Sequence, residues 1–286
     1  MNFIHKPVML EEVIKYFAPR KNQNYIDLTF GLGGHSKEIL RKTGPNGKIL
    51  AVDQDEKAQS EACETLKKYK NRIIYICDNF RNLDKIVGNT HFQRVSGILM
   101  DLGLGSWQID ILEKGISFSK NAPLDMRLGN NQRISAKDIL NDYNEKQLAN
   151  LLYNYGDVYK SRKFARNIIN YRQKNEISFV SELIEAIGTK NPKILAPIFQ
   201  AIRIEVNNEI ENLNIALPQI LNILMPKGKI IVISYHSGED RIVKNFFRSN
   251  KDKLKILTKK PITPTNEEIK YNPRSRSAKL RVAQKG

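Results

Sequence analysis

The chain is poor in the residues that build metal and redox sites. It contains two cysteines, Cys63 and Cys77, and four histidines among 286 residues, and their spacing matches no metal or redox motif. No apolar run reaches the roughly 18 residues of a membrane-spanning helix, and the amino terminus lacks the apolar core of a signal peptide. These absences predict a protein of the reducing cytoplasm with no membrane span and no bound metal.

Acidic residues are scarce relative to basic ones. The sequence has 47 Lys and Arg against 30 Asp and Glu, which gives a formal net charge of +17. With 41% hydrophobic residues, the chain can bury a core, so wholesale disorder is excluded. A basic excess attracts polyanions, although lysines placed for solubility are the alternative. Because the excess is strongest from Lys244 onward in a patterned run, a ribonucleoprotein partner is favoured over a small acidic metabolite.

A glycine-rich turn after an apolar strand is the most informative local pattern. Residues 25–35 read YIDLTFGLGGH, and residues 49–53 read ILAVD, a second strand that ends in a carboxylate. Glycines let the backbone approach a ligand, and Asp53 can accept bonds from both hydroxyls of a ribose. The pattern therefore predicts an adenosine-containing ligand. The alternative is a turn that merely joins a strand to a helix.

The same turn discriminates between adenosine ligands. A dinucleotide fingerprint needs G-x-G-x-x-G and a helix start that is open to pyrophosphate, whereas here Gly34 is followed by His35 and Ser36. Asp27, before the turn, would repel phosphate but suits the ammonium of a methionine moiety. S-adenosylmethionine is therefore predicted as the cofactor in preference to NAD or ATP.

Hydrophobic periodicity predicts one α/β sheet that is interrupted by helices. Apolar runs typical of buried parallel strands occur at 25–28, 49–52, 73–77, 97–100 and 229–235, and two further strands near 253–257 and 278–282 should form an antiparallel edge. Residues 135–217 show helical periodicity only, beginning at a capping-box pattern at Ser135.

This pattern predicts a class I S-adenosylmethionine-dependent methyltransferase fold, which is Rossmann-like and mostly parallel, with an antiparallel C-terminal edge. The predicted core is discontinuous and comprises residues 1–130 and 215–286. A helical insertion at 131–214 is assigned to RNA recognition.

Polar residues close the predicted strands and should meet at the sheet edge where such folds bind ligands. Asp53 closes the second strand, Asp78 and Asn79 follow the third, and Asp101 closes the fourth. Phe80 is placed to stack on an adenine ring, and Asn79 or Asp78 to bond its amino group.

The segment after the fourth strand suits the methylation of an exocyclic amine. The lone pair of such a nitrogen is delocalised into the base, so acceptors for its N–H groups favour the pyramidal geometry needed for attack. Asp101, Ser106 and the carbonyls of Leu102 and Gly103 are suitable acceptors, and Trp107 can stack on a flipped base. The alternative for Asp101 is a cap on the following turn.

Several segments in this order resemble one family, and the resemblance covers essentially the whole chain. The segments are HKPVML (5–10), DLTFGLGGHS (27–36), DLG (101–103), PLDMR (123–127), FQAIRI (199–204), VN (206–207), SYHSGEDR (234–241) and NPRSRSAKLR (272–281). They are similar to the bacterial MraW family of ribosomal RNA small subunit methyltransferases. The resemblance implies methyl transfer from S-adenosylmethionine to N4 of a decoding-site cytosine in 16S rRNA of the small ribosomal subunit.

The resemblance also implies which residues bind the cofactor. They are Gly33, Gly34, His35, Asp53, Phe80, Asp101 and Gln108. Catalytic roles are predicted for Asp101 and Ser106, and RNA contacts for Trp107, His236, Arg274, Arg276 and Arg281. The alternative for the arginines is that they brace the C-terminal strand through carboxylates such as Glu239 or Asp240. The chain departs from the family pattern at 105–107, 156–158, 196–197 and 238, which leaves open the role of Ser106 and the substrate contacts of the insertion.

Rival functions make different demands on the sequence. A DNA cytosine-N4 methyltransferase shares the chemistry, but the Ser-Pro-Pro-Tyr segment typical of those enzymes is absent at strand four. A non-catalytic RNA-binding protein accounts for the charge but not for polar strand ends that face one pocket. A serine hydrolase built on Ser234, His236 and Ser237 is disfavoured because G-x-S-x-G is absent.

Overall fold

A computed structural model describes residues 7–104, 114–129 and 132–286 of the chain. The chain divides into two compact units, one formed by residues 1–103 and 211–286 and the other by residues 104–210. Among the helices described, none is long and apolar enough to cross a membrane.

The first unit is built on a seven-stranded sheet with the order β3-β2-β1-β4-β5-β7-β6. The first five strands are parallel to their neighbours, and β7 runs antiparallel to both β5 and β6. The strands are β1 Asn24–Asp27, β2 Ile49–Asp53, β3 Ile73–Cys77, β4 Val95–Asp101, β5 Leu224–Ser234, β6 Leu254–Ile256 and β7 Lys279–Lys285. The prediction of a mostly parallel sheet with an antiparallel C-terminal edge is confirmed.

Alternate side chains of each buried strand enter different apolar clusters of this unit, because successive residues of a strand point to opposite faces. Ile26 packs with Leu213 and Leu217 in one cluster, whereas Tyr25 packs with Phe17 and Leu40 in the other. The helices of this unit are α1 Leu10–Phe17, α2 Gly34–Thr43, α3 Glu56–Thr65, α4 Leu83–Thr90, α10 Glu209–Ile223 (from residue 211 on), α11 Ser237–Ser249 and α12 Asn266–Tyr271.

Within residues 114–129 and 132–210, the regular structure of the second unit is helical. Its helices are α5 Ala136–Asp142, α6 Glu145–Gly156, α7 Ser161–Arg172, α8 Val180–Ile187 and α9 Pro192–Asn207. The capping box predicted at Ser135 is confirmed, because the Ser135 side chain accepts from the Asp138 backbone N–H while Asp138 accepts from that of Ser135. Asn191 likewise caps α9.

This unit begins earlier in the chain than the helical insertion predicted from the sequence. Leu124 and Met126 precede the predicted insertion in the sequence, yet both are buried in the hydrophobic core formed by α5 to α9. Their burial could not be inferred from periodicity, because they stand among Pro, Asp and Arg residues without a helical or strand repeat.

Asn207 attaches that segment to the last helix of the unit. Its side chain is buried, accepts a hydrogen bond from the Leu128 backbone N–H at 2.9 Å, and donates to the carbonyls of Met126 and Arg203, each at 2.9 Å. One amide side chain thus provides hydrogen-bond partners for backbone groups of a segment that forms no helix or strand.

Replacing Asn207 with alanine should destabilise the protein by about 1–3 kcal/mol, because buried backbone groups lose their partner while the helix-forming propensity is retained. Urea unfolding measures the change, and Asn170→Ala on the exposed surface of α7 is the control. Equal stability of the two variants would contradict this role for Asn207.

Candidate active site

The carboxyl ends of four parallel strands bring acidic side chains to one edge of the sheet. Asp27, Asp53 and Asp101 are the last residues of β1, β2 and β4, and Asp78 directly follows β3. These strands are neighbours in the order β3-β2-β1-β4, so their carboxyl ends lie side by side. The predicted convergence at the ligand-binding edge of the fold is therefore observed.

The glycine-rich turn lies against this edge. Gly31 and Gly33 have φ angles of +50° and +73°, a region that glycine adopts without steric cost. A Cβ at Gly33 would approach Leu66 and Phe30 to 2.7 Å, and one at Gly34 would approach the Pro7 ring to 2.5 Å. The turn consequently leaves no room for side chains at positions 33 and 34.

Asp53 connects the turn to the second strand. One carboxylate oxygen accepts from the Gly31 backbone N–H at 2.7 Å, and the other accepts from that of Asp55 at 2.9 Å. Burial raises the pKa of Asp53 to about 6, although these hydrogen bonds act in the opposite direction. The Gln54 backbone N–H is a third donor to this carboxylate. Because an ionised carboxylate has about four acceptor positions, Asp53 can still accept from a hydroxyl.

Asp27 and His35 support the turn from inside the fold. Asp27 is buried and accepts from the Ser36 hydroxyl at 2.7 Å in the first turn of α2, and burial raises its pKa to about 6. This placement argues against the ligand-ammonium contact inferred from the sequence. The His35 imidazole donates to the Val8 carbonyl at 2.9 Å, and burial lowers its pKa. The imidazole therefore contacts the segment before α1.

The third strand ends in a network of short polar contacts. Asp78 accepts from the Asn79 backbone N–H at 2.7 Å, and Asn79 in turn accepts from that of Arg81 at 2.9 Å. Phe80 begins a short 3-10 helix, Phe80–Asn82, and is only partly buried. The structure thus keeps part of the Phe80 ring exposed, as a stacking platform requires.

Asp101 is held from three directions. Its backbone N–H donates to the Thr29 hydroxyl at 2.6 Å, and its carboxylate accepts from the Tyr235 hydroxyl at 2.8 Å and from the backbone N–H of Gly103. Burial raises the pKa of Asp101 to about 7 in spite of the Tyr235 hydrogen bond, which acts to lower it. A carboxyl group that titrates near neutral pH at a ligand-binding edge is typical of a functional site.

Two predicted RNA contacts prove to be structural. Arg281 is buried and forms a bidentate ion pair with Asp240, at 2.6 and 3.1 Å. The His236 imidazole is also largely buried and caps α11 by accepting from the Glu239 backbone N–H at 3.4 Å. These predictions are corrected, because neither side chain presents its polar atoms to an RNA surface. The Arg281–Asp240 pair agrees with the alternative that the arginines brace the C-terminal strand through carboxylates.

The remaining predicted residues divide between exposed and undescribed positions. Arg274 and Arg276 are exposed on the short 3-10 helix Pro273–Ser277. Ser106, Trp107 and Gln108 lie outside the residues that the structure describes. The sequence analysis did not assign Thr29 or Tyr235 to the site. Both lie inside segments that carry the family resemblance. A hydroxyl side chain inside such a segment could have indicated a hydrogen bond to a site residue.

Comparison with known proteins identifies related chains over the full length. The family model described as "MraW methylase family" matches residues 2–286. "Ribosomal RNA small subunit methyltransferase H" of Clostridium botulinum (strain Kyoto / Type A2) is 43% identical, with 100% of both chains covered. The protein of the same name from Dictyoglomus turgidum is 41% identical, over 100% of this chain and 98% of its own.

A solved structure shows the same fold at low sequence identity. It is that of a candidate rRNA methylase from Clostridium thermocellum, which superposes with a TM-score of 0.51 at 15% identity and covers 98% of each chain.

Replacing Asp101 with asparagine should stabilise the protein in a pH-dependent way. Because the folded-state pKa of Asp101 is raised to about 7 from about 3.9 in the unfolded chain, the wild-type protein loses stability as the pH rises through this range. The variant has no such loss, so its advantage should grow from about pH 4 to pH 7 and then stay constant, reaching on the order of 7 °C in Tm. Thermal melts across this range measure the effect.

Asp84→Asn, at an exposed position of α4, is the control and should show no comparable gain. A stabilisation by Asp101→Asn that does not change with pH would contradict the buried-charge explanation.

Proposed function

Because the chain belongs to the MraW methylase family, we propose that it transfers a methyl group from S-adenosylmethionine to N4 of a decoding-site cytosine in 16S rRNA. The observation that carries this proposal is the row of strand-end carboxylates beside a glycine turn that is bonded to Asp53. Such a substrate would place the enzyme in the cytoplasm, at the small ribosomal subunit.

The residues of the first unit fit the proposed cofactor. Asp53 retains acceptor capacity for ribose hydroxyls, Phe80 is only partly buried and can meet the adenine, and a Cβ at Gly31 would meet no described atom within 4 Å, which leaves space for a ligand beside the turn. A buried edge lined by Asp27, Asp53 and Asp101 suits a cationic sulfonium better than a pyrophosphate, because carboxylates repel phosphate. The bound cofactor would supply an electrophilic methyl group.

Asp101 is the group best placed to act on the acceptor base. Its carboxylate lies at the ligand-binding edge, and one oxygen is already oriented by Tyr235. The other can accept an N–H of the cytosine amine, which favours the pyramidal nitrogen from which the lone pair attacks the methyl carbon. Transfer would break the bond between the methyl carbon and the cofactor sulfur, leaving S-adenosylhomocysteine, and the methylated amine would release its extra proton to solvent to become the neutral product.

Methyl transfer to purified small ribosomal subunits is the test of the proposed function. We expect incorporation of label from methyl-labelled S-adenosylmethionine into 16S rRNA, located at a cytosine N4 by nucleoside mass spectrometry. Naked double-stranded DNA and protein-free rRNA serve as parallel substrates. Transfer to DNA alone would support the DNA methyltransferase alternative, and binding of RNA without any transfer would support a non-catalytic role.

Replacing Asp53 with alanine should weaken S-adenosylmethionine binding about 10- to 100-fold, since bonds from a carboxylate to ribose hydroxyls contribute roughly 1.5–3 kcal/mol. Some loss of thermal stability should accompany it, because Gly31 loses its acceptor. Calorimetric titration measures the affinity, and Asp84→Ala is the control. Unchanged affinity would exclude Asp53 from the ribose site.

The exposed arginines of the 3-10 helix Pro273–Ser277 are proposed to contact RNA phosphates, for which the arginine fork is well suited. Charge-removing changes at Arg274 and Arg276 should weaken RNA binding and flatten its dependence on salt by about one unit per lost contact. S-adenosylmethionine affinity should not change. Filter binding over a salt series measures the slope, and lysine at both positions is the matched control. A lower melting temperature with an unchanged slope would instead indicate a structural role.

The helical unit is proposed to supply a second RNA contact at one end of the α6–α7 hairpin. Tyr153 in α6 is 61% exposed, and Tyr159 in the connection to α7 is 92% exposed. Lys160, Arg162 and Lys163 follow immediately, and the structure pairs none of the three with a carboxylate of the described residues. Exposed aromatic rings beside cations are typical of surfaces that bind single-stranded nucleic acid.

These three cationic side chains do not stabilise the helix on which they lie. They occupy the cap and first turn of α7, where no acidic residue is present and where the helix dipole disfavours positive charge. By contrast, Arg166 farther along the helix pairs with Glu145. A polyanionic partner at this end of the hairpin would account for the uncompensated charge.

Tyr159→Ser should reduce affinity for single-stranded rRNA fragments about 5- to 150-fold, because stacking on one base contributes roughly 1–3 kcal/mol. Tyr159→Phe is the matched control, since it keeps the ring and should bind as the wild type does. Fluorescence anisotropy with a labelled rRNA fragment measures both. Equal affinity of the serine and phenylalanine variants would contradict the stacking role.

A further inference from the structure

The segment 234–241, SYHSGEDR, contributes several side chains to the fold around one tyrosine. The Ser234 hydroxyl donates to the Lys279 carbonyl of β7 at 3.3 Å, His236 caps α11, and Asp240 pairs with Arg281 of β7. These contacts fix the connection between β5 and α11 on both sides. Tyr235 lies in the middle of this connection.

Tyr235 is itself held at three points. Its backbone N–H donates to Glu239 at 2.9 Å, and Glu239 is buried at 3% exposure. Its ring lies so close to Gly103 that a Cβ there would come within 2.4 Å of the ring. Its hydroxyl donates to Asp101 Oδ1 at 2.8 Å. A tyrosine with fixed backbone, ring and hydroxyl has little freedom to move away from Asp101.

We propose that Tyr235 is a positioning residue, whose hydroxyl fixes the Asp101 carboxylate so that its second oxygen faces the reacting amine. This inference rests on the role proposed above for Asp101. A carboxylate can rotate about its last side-chain bond, and one directed hydrogen bond restricts that rotation. The contacts of the segment 234–241 then keep the Tyr235 hydroxyl within hydrogen-bond distance of Asp101.

The surroundings of Asp101 make the donor important for its charge as well. Glu239 of α11, Glu268 of α12 and Asp27 of β1 face Asp101 as acidic groups, and burial disfavours its ionised form further. The Tyr235 hydroxyl and the Gly103 backbone N–H act in the opposite direction. Removing the hydroxyl should therefore raise the pKa of Asp101 above its present value of about 7.

Tyr235→Phe tests the proposal, since it keeps the ring against Gly103 and removes only the hydroxyl. We expect the acid limb of the pH profile for methyl transfer to small ribosomal subunits to move upward by about one pH unit. The rate at pH 7 should fall about 5-fold, because the ionised fraction of Asp101 falls, and recover in large part near pH 9. Unchanged pH dependence with a lowered melting temperature would overturn the proposal and leave Tyr235 a packing residue.

Tyr143→Phe is the matched control. Tyr143 makes the same kind of bond, from its hydroxyl to Glu205 at 2.7 Å, within the helical unit. Its loss should reduce stability without moving the pH profile. Combining Tyr235→Phe with Asp101→Asn gives a further check, because the tyrosine should have no effect on pH dependence once the carboxylate is absent. A shift that persists in that background would also overturn the proposal.

A readout without turnover separates this inference from the proposed function. Thermal stability of the wild type should fall with rising pH and level off near the pKa of Asp101, and Tyr235→Phe should move that point upward. If the wild type fails to methylate small subunits, the proposed function fails, while this measurement still decides whether Tyr235 controls Asp101. If the levelling-off point does not move, the pairing proposed for Tyr235 is wrong even when the enzyme is active.

Discussion

Carboxyl groups are buried at the ends of neighbouring parallel strands, and their need for hydrogen-bond donors constrains the structure of the first unit around them. Burial raises the pKa of Asp27 and Asp53 to about 6 and that of Asp101 to about 7. Removing a charged group from water is costly unless donors compensate it. The donors at this edge are the backbone N–H groups of Gly31 and Thr29 and the hydroxyls of Ser36 and Tyr235, which bond Asp53, Asp27 and Asp101.

That arrangement explains why structural and functional residues are intermixed in the same short segments. Asp27 and His35 lie within the glycine-turn segment, but Asp27 bonds Ser36 and His35 bonds Val8. In the segment 234–241, the same division separates Tyr235, at the site, from Asp240, which pairs with β7. A sequence motif therefore marks the region of the chain that forms a site. Only the side-chain contacts show which residues of the motif face that site.

Much of the sheet could be predicted because its signals are local. The strands at 49–53 and 73–77 are compact apolar runs, and the cap at Ser135 depends on neighbours only three residues away. The start of the second unit could not be predicted in this way. Leu124 and Met126 pack into its core from a segment without hydrophobic periodicity. The Asn207 side chain holds that segment by hydrogen bonds to backbone groups that lie 79 and 81 residues away in the sequence.

The sequence by itself determined the positions of the strands, the glycine turn, the acidic strand ends and the full-length resemblance, because each depends on residue type and short spacing. Tertiary structure alone decided which charged groups are paired. Arg281 meets Asp240 across 41 residues, and Tyr235 meets Asp101 across 134. Such contacts depend on the antiparallel insertion of β7 beside β5 and on the register of β4 with β5. Periodicity predicts that a strand is buried, but burial of a given charge depends on which partner the packing brings within hydrogen-bond distance.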